Sequence, residues 1–508
     1  MTPAYPQPGT RRLITMSIMA ASMMNSLDST IANVALPHIQ GSVSASQEQI
    51  TWVLTSYIVA AAIFTPLTGW LAGRFGRKRL IQFSIVGFTL ASGLCGIATN
   101  LSELVIFRLL QGVFGAALVP MSQAILLDIN PPERHGPAMA IWGMGTVLGP
   151  IIGPALGGWL TDNLTWRWVF YINLPIGILA FLGTSAFLSE TRDAERFKLD
   201  LVGFVTLALA IGALQMMLDR GQQKDWFSSL EICIEAAASA FFLYLFVVHI
   251  LTTRRPFIHL ALLKDRNFLF GSLLGFFLGV LVFSVLALLP PMLEGLMGYP
   301  VVLTGLVTAP RGIGTMIAMV VVGPMIKRVD ARYLILAGLL LSAYSLYMMS
   351  GFSLGMDEML IIESGFIQGL GTGLMFVPLS TIAFATLESR FRNEGAAMFT
   401  LIRNIGSAIG ISALQAMTVR NASTVHSRLV EGIRPDNPAL SIAAPGFDFN
   451  VPESVARMNA EITRQASMVS YIDAFWFLFI VSLAVAPMVL LMRRQRGTGD
   501  ERTTMHLD

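Results

Sequence analysis

The sequence predicts an all-α membrane protein with fourteen transmembrane helices, arranged as two six-helix bundles with two further helices inserted between them. Three observations point there. The composition is too apolar for a water-covered surface, basic residues cluster in alternate connections, and short segments recur between the two halves. Of 508 residues, 54% are apolar and 13% charged, against ~25% charged in a typical soluble chain. Most of the surface must therefore face lipid. This excludes disorder, a coiled coil, a disulfide scaffold and a plain soluble enzyme. A net charge of +3 makes no case for nucleic acid. Cys95 and Cys233 lie in apolar runs and read as small core residues, not as a disulfide or metal pair.

A transmembrane helix needs ~20 mostly apolar residues. Span 1 (13–36) follows Arg11 and Arg12 and carries Asp28. It is too long for a signal-peptide core, so no cleavable leader is expected. Span 2 (49–71) starts near Trp52 and leads into the basic loop Arg74–Arg79. Spans 3 (80–99) and 4 (103–126) follow, the latter carrying Arg108. Span 5 (136–160) begins after Arg134, and span 6 (168–189) lies between Trp166 and Arg192. Spans 7 (200–218) and 8 (230–252) follow, then spans 9 (267–290), 10 (301–324), 11 (333–353), 12 (359–386), 13 (395–420) and 14 (471–492). Alternate connections hold 23 of the 34 basic residues, and the short connections on the other side hold only Arg167, Arg220 and Lys224. The positive-inside rule then places both termini in the cytoplasm, which requires an even number of spans. Trp52, Trp159, Trp166, Trp168, Trp226 and Trp476 all fall near outer helix ends, where indoles are favoured.

The repeat joins three pairs of segments. Gly69–Arg74 ends span 2 as Gly323–Arg328 ends span 10. Gln111-Gly112 lies in span 4 as Gln368-Gly369 lies in span 12. Gly136–Met139 opens span 5 as Gly395–Met398 opens span 13. The offsets are 254, 257 and 259 residues, always eight helices. The chain therefore divides into a cytoplasmic start (1–12), a first bundle (13–190), two inserted helices with linkers (191–266), a second bundle (267–492) and a cytoplasmic tail (493–508). The second bundle contains a long outer segment, 421–470. Parallel halves of this kind hold a substrate site between them near the membrane midplane.

These segments also carry a resemblance. Leu27–Pro37 (LDSTIANVALP) resembles the first-helix signature of the fourteen-helix drug:proton antiporters of the major facilitator superfamily, the EmrB/QacA type. Gly69–Leu80 (GWLAGRFGRKRL) is similar to that superfamily's loop motif, with Gly73 where the motif usually has Asp. Arg108–Gly112 (RLLQG) resembles the fourth-helix motif. Gly145–Gly153 (GTVLGPIIG), with Gly157 and Gly158, resembles the fifth-helix antiporter motif. The stretch Trp166–Gly177 and the outer segment look like those of EmrB-like multidrug exporters. The resemblance implies the major facilitator fold, proton-coupled export from the inner or plasma membrane, and no cofactor beyond protons. It also suggests that the outer segment meets a membrane-fusion protein serving an outer-membrane channel.

Charged side chains at the bilayer centre cost at least ~2.5–3.5 kcal/mol on insertion scales, so those that persist line a cavity or have a partner. Asp28 shares a helix face with Asn25, and Ser22, Asn25, Ser29 and Asn33 form a polar stripe. In low dielectric such a carboxylate can bind and release protons near neutral pH. It reads either as a proton carrier or as one side of a fixed pair with Arg108, which lies at similar depth. Glu363, near the outer end of span 12, reads as a further coupling carboxylate or as a solvated one. Arg311 sits near the midplane. An anionic substrate, a carbonyl cage or a carboxylate across the cavity would each balance it. Arg403 lines the cavity or snorkels to the inner interface, with Asn404, Gln111 and Gln368 as further cavity candidates. Gly145, Gly149, Gly153 and Gly157 recur every four residues, with Pro150 and Pro154 bending the same span. They read as a hinge between the halves or as ordinary close packing. The loop with Gly69, Arg74, Gly76 and Arg77 anchors the inner face or latches a gate, with Arg77 near Asp128. The 27 methionines suit an adaptable apolar site as well as an ordinary membrane core.

No Gly-x-x-x-x-Gly-Lys-Ser/Thr loop occurs, so ATP does not drive this chain. The function expected is proton-driven export of lipophilic drugs or amphiphiles by alternating access. A dedicated exporter of an anionic amphiphile, such as a fatty acid, is the near alternative. A membrane enzyme or a sensor is the distant one, since no acid–base–nucleophile cluster or soluble domain is evident.

Overall fold

The computed structural model describes residues 5–190, 199–253, 256–326, 328–388, 391–437, 440, 444 and 446–492. The connection carrying Arg192, Arg196 and Lys198, the tail 493–508 and parts of segment 421–470 fall outside the described residues. Described residues form helices, turns and loops, without a strand. The first bundle contains α1 (Pro8–Ser42), α2 (Trp52–Phe64), α3 (Leu67–Phe75), α4 (Arg77–Ile97), α5 (Leu101–Gly115), α6 (Leu118–Ile129), α7 (His135–Asn163) and α8 (Asn173–Phe187). The inserted pair is α9 (Leu201–Arg220) and α10 (Leu230–Thr252). The second bundle contains α11 (Arg266–Pro291), α12 (Val301–Met325), α13 (Ala331–Met349), α14 (Glu358–Ala385), α15 (Arg392–Val430) and α16 (Pro452–Val485).

Among the described residues, twelve helices are long and apolar enough to cross a bilayer, and the bent pair α2–α3 makes thirteen. The fourteenth expected span is α1. At 35 residues it is long enough, but its polar stretch keeps it below the apolarity of the others. Span 2 does not run straight as read from the sequence: α2 and α3 meet at 59°. Pro66, at their junction, lacks the N–H that would continue the helix, and the Thr65 hydroxyl turns back to the Ala61 carbonyl.

The repeat is visible in the packing. In the first bundle α1 lies on α7 and α2 on α5; in the second α11 lies on α15 and α12 on α14. The halves meet where α7 packs on α12 and α14, and where α15 packs on α3 and α6. The inserted pair sits outside this core, α9 touching α2 and α15, and α10 leaning on α9. Exposed apolar side chains such as Leu90, Leu179 and Leu251 clothe the perimeter, as lipid contact requires.

The glycine stripe faces a different neighbour from the one expected of a hinge between halves. A Cβ at Gly149 would lie 2.6 Å from the Leu27 nitrogen, one at Gly153 2.3 Å from the Thr30 hydroxyl and one at Gly157 2.8 Å from Ile31. Gly145 meets Met19 in the same way. The stripe thus seats α7 on α1 within the first bundle. The other face of α7 makes the seam: Gly136 meets Ile326 and Gly143 meets Met319. Pro150 and Pro154 both lie inside α7, which remains one helix.

Candidate functional site

Asp28 is fully buried, and two helices supply its three partners. Arg108 of α5 donates from Nη1 to Oδ2 at 2.6 Å. Gln111, one turn along, donates to Oδ1 at 2.8 Å, and Asn173 of α8 donates to Oδ1 at 2.9 Å. The guanidinium is held as firmly. Its Nε donates to the Val53 carbonyl at 3.0 Å, Nη1 also reaches Gln111 Oε1 at 2.8 Å, and Tyr57 lies under it, 4.3 Å from ring centre to Cζ. Asn25 donates to the Tyr57 hydroxyl at 2.9 Å. A cluster including Ile31, Val53, Cys95, Leu104 and Phe170 closes the side away from the basic connections. A buried ion pair is costly unless its remaining donors and acceptors are satisfied, and here nearly all are. Arg108 Nη2 and Asn173 Oδ1 are the groups without a hydrogen-bond partner.

The polar stripe of α1 splits along its length. Ser22 is buried and accepts from the Trp142 indole at 3.0 Å. Asn25 is half-buried in the network, whereas Ser29 and Asn33 are exposed. Exposed polar groups at mid-span mark water or a cavity, not lipid. Trp142 in turn stacks on Phe376 of α14 with 6.1 Å between centroids, so the first bundle touches the second within one residue of the stripe. Behind Phe376 stands Arg403, its Cζ 5.9 Å from the ring. Asn404 beside it is exposed. Gln368 is buried with its Oε1 unpartnered. Arg311 is 7% exposed and donates from Nη2 to the Val282 carbonyl at 3.0 Å. Glu363 stands exposed, away from the Asp28 network.

At the end of the bundle that bears the basic connections, the halves are tied together. Asp128 of α6 pairs with Arg77 of α4 and, across the halves, with Arg392 of α15 at 3.1 Å. Glu394 accepts from His259 and lies against α3, where a Cβ at Gly69 would come within 2.9 Å of its Cα. Gly76 takes φ +91°, and a Cβ there would strike the Glu190 carboxylate. Only glycine permits that turn. Arg74 is exposed, which suits interface anchoring.

Several participants escaped the sequence reading. Tyr57, Asn173, Trp142 and Phe376 are uncharged and drew no notice in apolar spans. In the sequence Arg392 reads only as one of the basic residues of the connections. Asp219 and Glu235, on the inserted pair, drew no notice either. Asp219 bonds to Thr55 of α2, and Glu235 Oε2 is buried without a partner. Cys95 and Cys233 are both free, Cys95 buried and Cys233 half-buried.

Residues 18–411 match the family model of the Major Facilitator Superfamily. The chain is 36% identical over 493 residues to the multidrug export protein EmrB of Escherichia coli K12, covering 96% of each. It is 36% identical over 485 residues to the fatty acid resistance protein FarB of Neisseria gonorrhoeae, covering 94% of this chain and 96% of that one. Among solved structures, the proton:xylose symporter XylE superposes with a TM-score of 0.60 at 12% identity, covering 97% of this chain and 98% of that one, a likeness of fold. Two repeated bundles, an ion pair between the first and fourth spans, and matches along nearly the whole chain converge on one conclusion: the protein belongs to the major facilitator superfamily.

Proposed function

We propose that the protein is a proton-driven exporter of lipophilic or amphiphilic small molecules, working by alternating access in the inner or plasma membrane with both termini cytoplasmic. The observation that carries this reading is the buried Asp28–Arg108 pair, which borders the exposed polar face of α1. The names of the relatives, a multidrug export protein and a fatty acid resistance protein, support export over uptake. The distribution of Lys and Arg supports the orientation.

In the tied conformation Asp28 is a carboxylate and Arg108 its counter-ion. A proton reaching Asp28 removes the charge that holds Arg108, so proton binding and pair opening favour each other. The opened pair frees α1 and α5 to shift, and α7 moves with α1 because the glycine stripe joins them. The halves then rock about the α7–α12 seam. The ties at Asp128 break, the cavity opens to the cytoplasm, and Asp28 returns its proton there as substrate enters. Protons are the only coupling ion this scheme needs.

The test is transport in proteoliposomes. Asp28→Asn keeps the volume and hydrogen bonding but cannot titrate. It should abolish uphill export under an imposed pH gradient while leaving downhill substrate exchange. Full uphill export by this variant would remove Asp28 from the role and turn attention to Glu363.

A second reading concerns a partner. Helices α15 and α16 have 39 and 34 residues, well beyond the ~20 a bilayer needs. They run side by side past the outer surface, where His426 meets Asn459 at 3.0 Å. This projection suits contact with a membrane-fusion protein that passes substrate to an outer-membrane channel. Deleting 430–450 should then cut export from whole cells while sparing transport in proteoliposomes. Equal loss in both would make the segment a lid, and no loss in either would end both ideas.

A further inference from the structure

The two bundles each bury a guanidinium between equivalent helices, but only the first bundle supplies a carboxylate for it. The repeat offset of 254 residues aligns Tyr57 with Arg311, and that of 257 aligns Arg108 with Gly365 and Gly112 with Gly369. The contacts agree. A Cβ at Gly112 would lie 2.4 Å from the Tyr57 carbonyl oxygen, and one at Gly369 would lie 1.9 Å from that of Arg311. The helix pairs α2–α5 and α12–α14 therefore close on equivalent turns. In the first bundle the cation comes from α5 and rests on the aromatic ring of α2. In the second the positions are exchanged: the cation stands on α12, and Gly365 leaves space beside it.

The first helix of each bundle completes the comparison. From α1 comes Asp28. From α11, Arg266–Pro291, comes no Asp or Glu at all. Among the described residues Arg311 finds only the Val282 carbonyl, and its Nη1 is buried without a partner. One turn away on α11, Gly279 lies against the backbone of Arg403, whose Nε is also buried without a partner. Neither arginine has an ion pair among the described residues. A buried cation lacking a counter-charge is unfavourable, and a bound anion relieves it.

We propose that Arg311, with Arg403 of α15 set against the adjoining turn of α11, is the binding site for the acid group of an amphiphilic substrate. The substrate supplies in the second bundle the carboxylate that Asp28 supplies in the first. The stacked rings of Phe376 and Trp142 beside Arg403 form an apolar wall for its tail. This rests on the exporter reading above and adds the class of molecule carried: acids with an apolar chain.

The experiment is equilibrium binding to the purified full chain in lipid nanodiscs, without a pH gradient, comparing dodecanoate, dodecanol and dodecyltrimethylammonium. Dodecanoate should bind more tightly than dodecanol by about tenfold or more, and the cation most weakly. Arg311→Gln should erase the preference for the acid and leave dodecanol within about twofold, since the tail contacts persist. Arg403→Gln should reduce the preference less. Equal binding of acid and alcohol by the unaltered protein would overturn the proposal, even if a variant failed to fold. So would an undiminished preference in folded Arg311→Gln. Because no gradient is used, failure here leaves proton coupling at Asp28 standing, and failure of the Asp28→Asn test leaves this site standing.

Discussion

Asp28 and Arg108 stand out in the sequence because charge is costly in an apolar span, and Gln111 stands out through its counterpart Gln368. Their partners do not. Asn173 and Tyr57 are neutral and tolerable in a membrane helix, and only the fold shows that they converge on the pair. Arg311 and Arg403 were legible as misplaced charges, but their lack of acid partners required the surrounding helices. The pair makes a stability prediction. Arg108→Leu leaves a buried carboxylate without its cation and should destabilise by roughly 3–5 kcal/mol, whereas removing both charges should cost far less. Thermal unfolding in detergent should therefore rank wild type near Asp28→Leu/Arg108→Leu, with Arg108→Leu well below both. The double variant should also fail to use a pH gradient. A folded Arg108→Leu of unchanged stability would show that the pair contributes little to the folded state.

Helices were placed well by apolar runs, because run length is a direct consequence of bilayer thickness. Pro452 begins α16, in keeping with the helix-compatible composition after it. What periodicity conceals is the neighbour. A four-residue glycine spacing on α7 announces close approach, but both an intrabundle and an interbundle partner satisfy it. The structure assigns the stripe to α1 and the seam to the opposite face. Two substitutions separate these faces. Gly149→Ala drives a Cβ into the backbone of α1, which has nowhere to go, and should cost about 1–3 kcal/mol. At Gly158→Ala the nearest atom is 3.8 Å away, an ordinary contact, so stability should be unchanged. Unfolding temperatures of the two variants in the same detergent check the assignment, and equal values would refute it.

Across the whole molecule, the twofold plan was readable from three short repeats, while the ties between halves were not. Arg77 beside Asp128 was expected, but Arg392 joins them from a residue more than 250 positions away. Asp128→Asn should leave both guanidiniums without their shared carboxylate and weaken this closed end by about 1–3 kcal/mol. Spin labels at Arg79 and Lys264, both exposed, should then report a larger fraction of separated distances. An unchanged distribution would assign closure to helix packing alone. Cysteines at Ser228 and Asp357 should react with an impermeant reagent outside intact cells. Protection of both would invert the orientation and the direction of transport. Finally, α15 is one unbroken rod of about 58 Å at 1.5 Å per residue. Its first turn is bolted to the closed end through Arg392 and Glu394, and its 39 residues outreach the ~20 that a bilayer needs. Such a rod, pivoting mid-membrane through about 15°, swings its tip by about 7 Å. Each turn of the pump is therefore a stroke delivered outside the membrane, and a molecule clamped to that tip would act as a brake on the cycle within.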